Sequence, residues 1–305
     1  FFSFIAVMFR AFYVSTTNTK ILTANSVVMV LTNVVLNYIL IFGKFGLPVL
    51  GIAGAAIASL ISEAVSVMFF VIYTWKKVDY KKYGLFRFTR VDFRMLGQIL
   101  SVSIWVMIQH GIAFGGWFVF FIAMEHLGER PLAITNVVRS ISSFLFMFVN
   151  AFASTNSSLV SNLIGAGESD RVLPLSRRMI GLCYAFVLPI GILIAMFPST
   201  VLRIYTDNPD LIASSIPSLW VMLSSYLFAV PGFIYFFSVS GTGNTRRALE
   251  IDMASIFVYV LYILYVAVWL RADVAVCWTT EYVYNIMILS SFFYLWKGNW
   301  RNKKI

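Results

Sequence analysis

A few residues inside the long apolar runs of this chain could hold a cation or pass a proton. Asn33 and Asn37 are four residues apart, as are Ser59 and Glu63, and on a helix each pair shares a face. Side-chain oxygens gathered in this way suit a hard cation such as sodium. Glu63 is the carboxylate at mid-depth of its run, where an ionisable group is costly and usually faces a cavity or a partner. His110, next to Gln109, brings an imidazole, the side chain suited to exchanging protons near neutral pH. Further on, Asn136, Arg139, Ser143, Asn150, Ser154 and Ser161 recur at spacings of three, four or seven, which makes one polar stripe fit to line a wet cavity. Trp105, Tyr226 and Tyr235, with Trp117 and Phe118, have ring faces that attract a lipophilic cation. Each group has a plainer reading: hydrogen bonding between helices for the polar residues, lipid contact or packing for the aromatics. Both readings stand at this level.

Other chemistries find no support. The two histidines, His110 and His126, sit in no HExxH pattern, and there is no aspartate pair or Ser/Lys constellation. No enzyme is expected. Cys183 and Cys277 both lie in apolar runs and offer neither metal spacing nor a disulfide framework. No cofactor is implied, and no metal beyond sodium.

The elements that position these residues follow from composition. The 305 residues are 60% hydrophobic, 17% aromatic and only 12% charged. Soluble domains carry about 25% charged residues, so this chain cannot cover its surface with charge. It reads as a membrane protein, and a span of the ~30 Å hydrocarbon core needs about 20 apolar residues. Eight full spans are expected, at 21–43, 51–75, 96–124, 131–164, 178–200, 212–241, 248–270 and 273–296, with a shorter ninth at 1–16. No dyad alternation suggests a barrel, so all are helices. The chain opens inside an apolar run, as a fragment would.

The formal net charge of +10 is a topology signal. Threading the turns alternately puts Lys76, Lys77, Lys81, Lys82, Arg87, Arg90 and Arg94 on one side, with Arg246, Arg247 and the basic C-terminal residues. The other side receives only Lys44, Arg130, Arg203 and Arg271. The excess marks the cytoplasmic side, and nucleic acid is not an expected partner. The basic segment 76–95 is too polar to span and reads as a cytoplasmic loop between two lobes. These are 1–75, with three helices, and 96–297, with six; residues 298–305 form a cytoplasmic tail.

A short phrase recurs. "VSTTNTK" begins at Val14 and "VSGTGNTRR" at Val239; Phe12, Val14, Ser15 and Thr17 match Phe237, Val239, Ser240 and Thr242. Both copies fall at a turn expected on the cytoplasmic side. The repeat implies two homologous halves of parallel topology, a transporter signature, and hence twelve helices in two bundles of six. Three further helices are then expected ahead of residue 1.

The stretch 30–62, "VLTNVVLNYILIFGKFGLPVLGIAGAAIASLIS", resembles the fifth and sixth helices of the multidrug and toxic compound extrusion (MATE) family. "LVSNLIGAGESDR" at 159–171 and "VSGTGNTRR" are similar to that family's turns after its eighth and tenth helices. The resemblance runs from the fourth helix to the twelfth. It implies an all-α polytopic fold of two pseudo-symmetric six-helix bundles, the first represented by its last three helices. It further implies an antiporter coupled to sodium or protons, with lobes closing alternately around a central cavity. Asn33, Asn37 and Ser59 then correspond to polar members of a first-lobe cation site, with a family Asp placed ahead of residue 1. This chain departs from the family's pattern in two places. Some members have Asp where Asn37 stands. Sodium-coupled members carry Glu in the seventh helix and Asp in the tenth. Here the seventh has Gln109 and His110, and the tenth, around Ser224 to Tyr235, has no carboxylate.

The expected protein is a monomeric inner-membrane exporter of organic, cationic amphipathic compounds. The alternative is a lipid-linked oligosaccharide or precursor flippase of the same architecture, which needs a strongly cationic cavity; only Arg139 speaks for it. The topology is testable. Cysteines introduced by Lys81→Cys and Lys303→Cys in the full-length protein should react with a membrane-impermeant reagent from the same, cytoplasmic side. Labelling from opposite sides would overturn the helix count.

Overall fold

The computed structural model describes residues 2–16, 18–46, 48–78, 83, 92–298 and 300. The chain divides into two compact units, Phe1–Val91 and Asp92–Ile305. The described residues contain no strand. Most of the loop expected at 76–95, Lys81 included, and of the tail expected at 298–305 lies outside them.

The first unit is α1 (Phe2–Ser15), α2 (Lys20–Phe42) and α3 (Gly51–Lys77). Its packing is written into α3 as a run of four-residue steps. Gly54, Ala58, Ser62, Ser66, Phe70 and Thr74 are all buried. The first four are small, so the backbones of α2 and α3 come close, as helices do where lipid supplies no hydrophobic drive. At Gly54 a Cβ would stand 2.7 Å from the Leu40 carbonyl oxygen. Lower down, the Asn25 amide donates to Ser66 Oγ at 2.8 Å, and the Tyr13 and Thr74 hydroxyls pair at 2.6 Å. Phe9 and Tyr13 stack on Phe70. Polar contacts thus tie α3 to both of its neighbours.

The second unit begins with α4 (Phe93–Leu127), α5 (Glu129–Gly165), α6 (Val172–Met196) and the short α7 (Pro198–Leu202). It continues with α8 (Pro209–Gly241), α9 (Thr245–Ile263), α10 (Val274–Trp278), α11 (Thr280–Ile288) and α12 (Ser291–Lys297). Two helix starts show local chemistry at work. The Asp92 carboxylate accepts from the Arg94 and Met95 amides, and the Asn208 side chain accepts from those of Asp210 and Leu211 ahead of a helix with Pro209 at its first position. Gly128, at φ 125°, is the single residue between α4 and α5. Helix α5 packs along α8, and α4 along α9. At Gly241 a Cβ would meet the Ser157 carbonyl oxygen at 2.6 Å, so the α5–α8 seam closes on a glycine as well. Beside this contact, near the same end of the seam, the fully buried Asn156 amide donates to Ser238 Oγ (2.6 Å), Ser176 Oγ (3.3 Å) and the Ile234 carbonyl (3.3 Å), binding three helices at one point.

Seven helices are long and apolar enough to cross a membrane, from Lys20–Phe42 to Thr245–Trp269. They match the expected spans within a few residues, with two exceptions: the span expected at 178–200 is α6, which starts at Val172 and ends at Met196 ahead of α7, and α9 runs into a π-helical turn at Leu264–Trp269. The expected span 273–296 is helical along its length but not one unbroken α-helix, because Thr279 and the pair Leu289–Ser290, themselves with right-handed helical dihedrals, divide it into α10, α11 and α12. Hydroxyls at the breaks bond back to carbonyls of the preceding turn. Thr280 Oγ1 donates to Cys277 O and Ser291 Oγ to Ile288 O, while the Thr279, Ser290 and Phe293 amides take three-residue bonds. Such local bonds compete with the α-helical ladder.

The close contacts make a stability prediction. Gly54→Ala and Gly241→Ala each force a methyl into a carbonyl oxygen and should cost about 1–3 kcal/mol, read as an earlier thermal unfolding midpoint in detergent. Gly97→Ala, with nothing within 4 Å of its Cβ, should not lower that midpoint. Equal behaviour of the three variants would contradict the packing described.

Candidate functional site

In the first unit the structure gathers four of the five residues expected to handle a cation. Asn33 and Asn37, half-buried on one face of α2, are joined by a 2.8 Å bond from Asn37 Nδ2 to Asn33 Oδ1. Asn33 Nδ2 reaches across to Ser59 Oγ on α3 at 3.4 Å. One turn further along α3, Glu63 accepts a hydrogen bond of 2.5 Å from Ser3 Oγ on α1. The close approach at Gly54 sets the register that brings Asn33 opposite Ser59. Asn37 Oδ1 is buried and has no hydrogen-bond partner, leaving an acceptor at one end of the chain of amides. Asn33, Asn37 and Ser59 offer amide and hydroxyl oxygens, and the Glu63 carboxylate stands one turn further along α3, on the side away from Asn37; these are the oxygen types a monovalent cation or proton would use. Ser3 escapes sequence reasoning, since nothing local marks a serine in α1 as Glu63's partner.

His110 lies in the second unit. It is an exposed residue of α4, and it and Gln109 face Asp252 of α9. Asp252 is only 2% exposed and accepts a 2.9 Å hydrogen bond from the Tyr284 hydroxyl on α11. Glu281, one turn before Tyr284, receives the Tyr259 hydroxyl at 3.5 Å. Neither Asp252 nor Glu281 is reached by the family resemblance, which points to the helices at 96–124 and 212–241. The signal that could have found them is a carboxylate inside each of the runs 248–270 and 273–296. Among the described residues no three His, Cys, Asp or Glu side chains gather as a metal centre.

The stripe on α5 is real and lies on one face. Asn136, Arg139, Ser143, Asn150, Ser154 and Ser161 are all exposed, while Val138, Ile141, Leu145, Val149, Ala153 and Asn156 are buried on the opposite face. The Arg139 guanidinium lies 4.8 Å from the Phe121 ring centroid, and Ser143 bonds back to the Arg139 carbonyl. Helix α5 thus turns a polar face out of its own unit.

The aromatics are placed differently. Tyr226 is a core residue whose hydroxyl donates to the Ser142 carbonyl at 2.7 Å, bracing α8 against α5. Tyr235 is buried against Phe292, with ring centroids 5.1 Å apart. The face of Trp105 carries the Arg246 guanidinium at 5.7 Å, so a cation already sits there. Trp117 and Phe118 are exposed.

The sequence profile of the MatE family matches residues 112–267, half of the chain. A protein of Thermotoga maritima named as a probable multidrug resistance protein NorM is 28% identical over 239 residues, 77% of this chain and 50% of that relative. Its namesake from Agrobacterium fabrum is 28% identical over 183 residues, 60% of this chain and 39% of that protein. The chain thus spans about half the length of the curated relatives it matches, or less. Among solved structures, a mutant of the Vibrio cholerae MATE transporter VcmN superposes with a TM-score of 0.82 at 16% identity, covering 98% of this chain and 67% of that one. An outward-facing multidrug resistance MATE family transporter of the MOP superfamily gives 0.79 at 17% identity, covering 90% and 61%. These likenesses concern the fold. With the profile match, the polytopic helices and the motifs at 30–62 in agreement, the chain belongs to the MatE family, whose members are transporters rather than enzymes.

Proposed function

We propose that this chain is part of a secondary active exporter that exchanges organic, cationic amphipathic compounds for sodium ions or protons by alternating access. The names of its relatives, probable multidrug resistance proteins, support the substrate class. Residues 1–75 serve as the helices of one lobe and 96–297 as the other. Segment 76–95 and the C-terminus face the cytoplasm, and the protein works as a monomer in the inner membrane. Family membership and the excess of Lys and Arg at 76–94 support that placement.

The observation that carries the coupling is the polar layer of the first unit. Glu63 lies near the middle of α3, with Ser3 on its carboxylate and Ser59 one turn away. Ser59 in turn meets the Asn33–Asn37 pair. Carboxylates inside spans commonly mark ion or proton paths. The exposed polar face of α5, with Asn136, Arg139 and Asn150, is suited to line the substrate's route, while Trp117 and Phe118 offer uncovered ring faces nearby in sequence.

Glu63→Gln tests the reading. The variant keeps the volume and can still accept from Ser3, but it loses the charge. In the full-length protein it should reach the membrane at normal abundance, while ion-driven export of a cationic dye from cells or vesicles falls by at least about tenfold. Export at the unmodified rate would assign Glu63 to packing and remove the support this layer gives.

A further inference from the structure

The second unit holds a network that the coupling layer of the first does not use. Asp252 and Glu281 stand on neighbouring helices, within the apolar runs, and each accepts from a tyrosine of the other's helix. Tyr284 donates to Asp252 at 2.9 Å and Tyr259 donates to Glu281 at 3.5 Å. Tyr284 lies three residues after Glu281 on α11, so the phenol that bonds Asp252 stands on the same side of α11 as Glu281. Around Asp252 are Gln109 and His110 of α4 and Tyr284 of α11. Around Glu281 are Tyr226 of α8, Tyr259 of α9 and Tyr284 of its own helix.

Two observations go beyond the acids themselves. Asn285, one turn after Glu281 on the same face of α11, is 2% exposed, and its Oδ1 has no hydrogen-bond partner. A buried amide oxygen without a donor is costly, and one beside a carboxyl group is the acceptor that a carboxylic O–H needs. In addition, a cleft of about 520 Å³ runs between α9 and the α11–α12 segment, with Arg247 and Lys297 among the residues lining it. Its wall includes Ser255, three residues after Asp252, and Met287, three after Tyr284. The cleft thus comes within a helical turn of Asp252 and Tyr284.

We infer that Glu281 is a proton-carrying group of the second unit, with Asp252 as its charged partner and Asn285 as the acceptor for the bound proton. This deepens the exchange proposed above, since it rests on an ion-coupled reading and names the ion for this unit as the proton. The assignment between the acids follows from their partners. Asp252 accepts a tyrosine bond of 2.9 Å, whereas the tyrosine bond to Glu281 is 3.5 Å long. The surroundings favour a proton over sodium. Each carboxylate meets a phenolic O–H, and the open acceptor Asn285 Oδ1 lies one turn from Glu281, which suits a carboxylic O–H. The step balances simply. A proton from water forms an O–H bond on a Glu281 oxygen and cancels one negative charge; it leaves by the reverse reaction.

The test uses the purified full-length protein and infrared difference spectroscopy across a pH titration. A carboxylic C=O band should appear on acidification in the unmodified protein, be lost in Glu281→Gln and survive in Asp252→Asn. Tyr259→Phe should keep the band but shift its midpoint by about one pH unit. That shift is a readout packing alone would not move. In proteoliposomes with an imposed pH gradient, Glu281→Gln should lower dye export by at least about tenfold, with a normal elution profile in detergent. A band unchanged in Glu281→Gln, or one that disappears when sodium is added at fixed pH, would overturn the proposal. Absence of any dye export by the unmodified protein would instead overturn the exporter reading, while a titrating band lost in Glu281→Gln would still establish the proton site.

Discussion

Everything in this fold depends on how closely its helices can approach. Lipid is as apolar as leucine, so helices in a bilayer gain little by hiding apolar surface from one another; contact and hydrogen bonding must hold them together. The chain answers with small residues placed where two backbones cross. Gly54 admits the Leu40 carbonyl, Gly241 admits that of Ser157, and a Cβ at Gly232 would stand 2.8 Å from Ile288 Cγ2 and 3.1 Å from the Asn285 carbonyl. Once these seams are closed, the polar side chains beside them have no choice of partner. Asn25 meets Ser66, Asn33 meets Ser59, and Asn156 meets Ser176 and Ser238.

The polar groups therefore play two parts. Some are structural ties, of which the fully buried Asn156 is the clearest, its amide donating to three acceptors on two other helices. Buried acceptors without donors occur in both parts: Asn25 Oδ1 and Asn156 Oδ1 belong to ties, while Asn37 Oδ1 and Asn285 Oδ1 each lie on a helix face that also carries their unit's ion-handling candidates. An open acceptor costs stability, and it supports ion handling only together with the titratable groups on the same face.

Aromatic residues show why type alone is a weak guide. Tyr226 and Tyr235 look, in the sequence, as capable of gripping a cation as any other ring. Packing turns both inward, and Arg246 covers Trp105. A ring's function depends on which face it presents, and here neighbours far along the sequence set that: Ser142 for Tyr226, Phe292 for Tyr235 and Arg246 for Trp105.

Several features needed nothing but the sequence. Seven of the spans, the exposed stripe on α5 and the Asn33–Asn37 and Ser59–Glu63 pairings come from apolar run lengths and from spacings of three and four, because a helix fixes which residues share a face. The glycines of the 30–62 motif were equally legible, though not the carbonyl oxygen that one of them admits. Contacts between helices were not. That Ser3 sits on Glu63, that Tyr284 finds Asp252 and Tyr259 finds Glu281, and that the run 273–296 divides into α10, α11 and α12 are decided by tertiary structure. Periodicity tells which way a side chain points from its own helix axis. What it meets there is set by the distance and register of the next helix, and those are fixed only when the small-residue seams close.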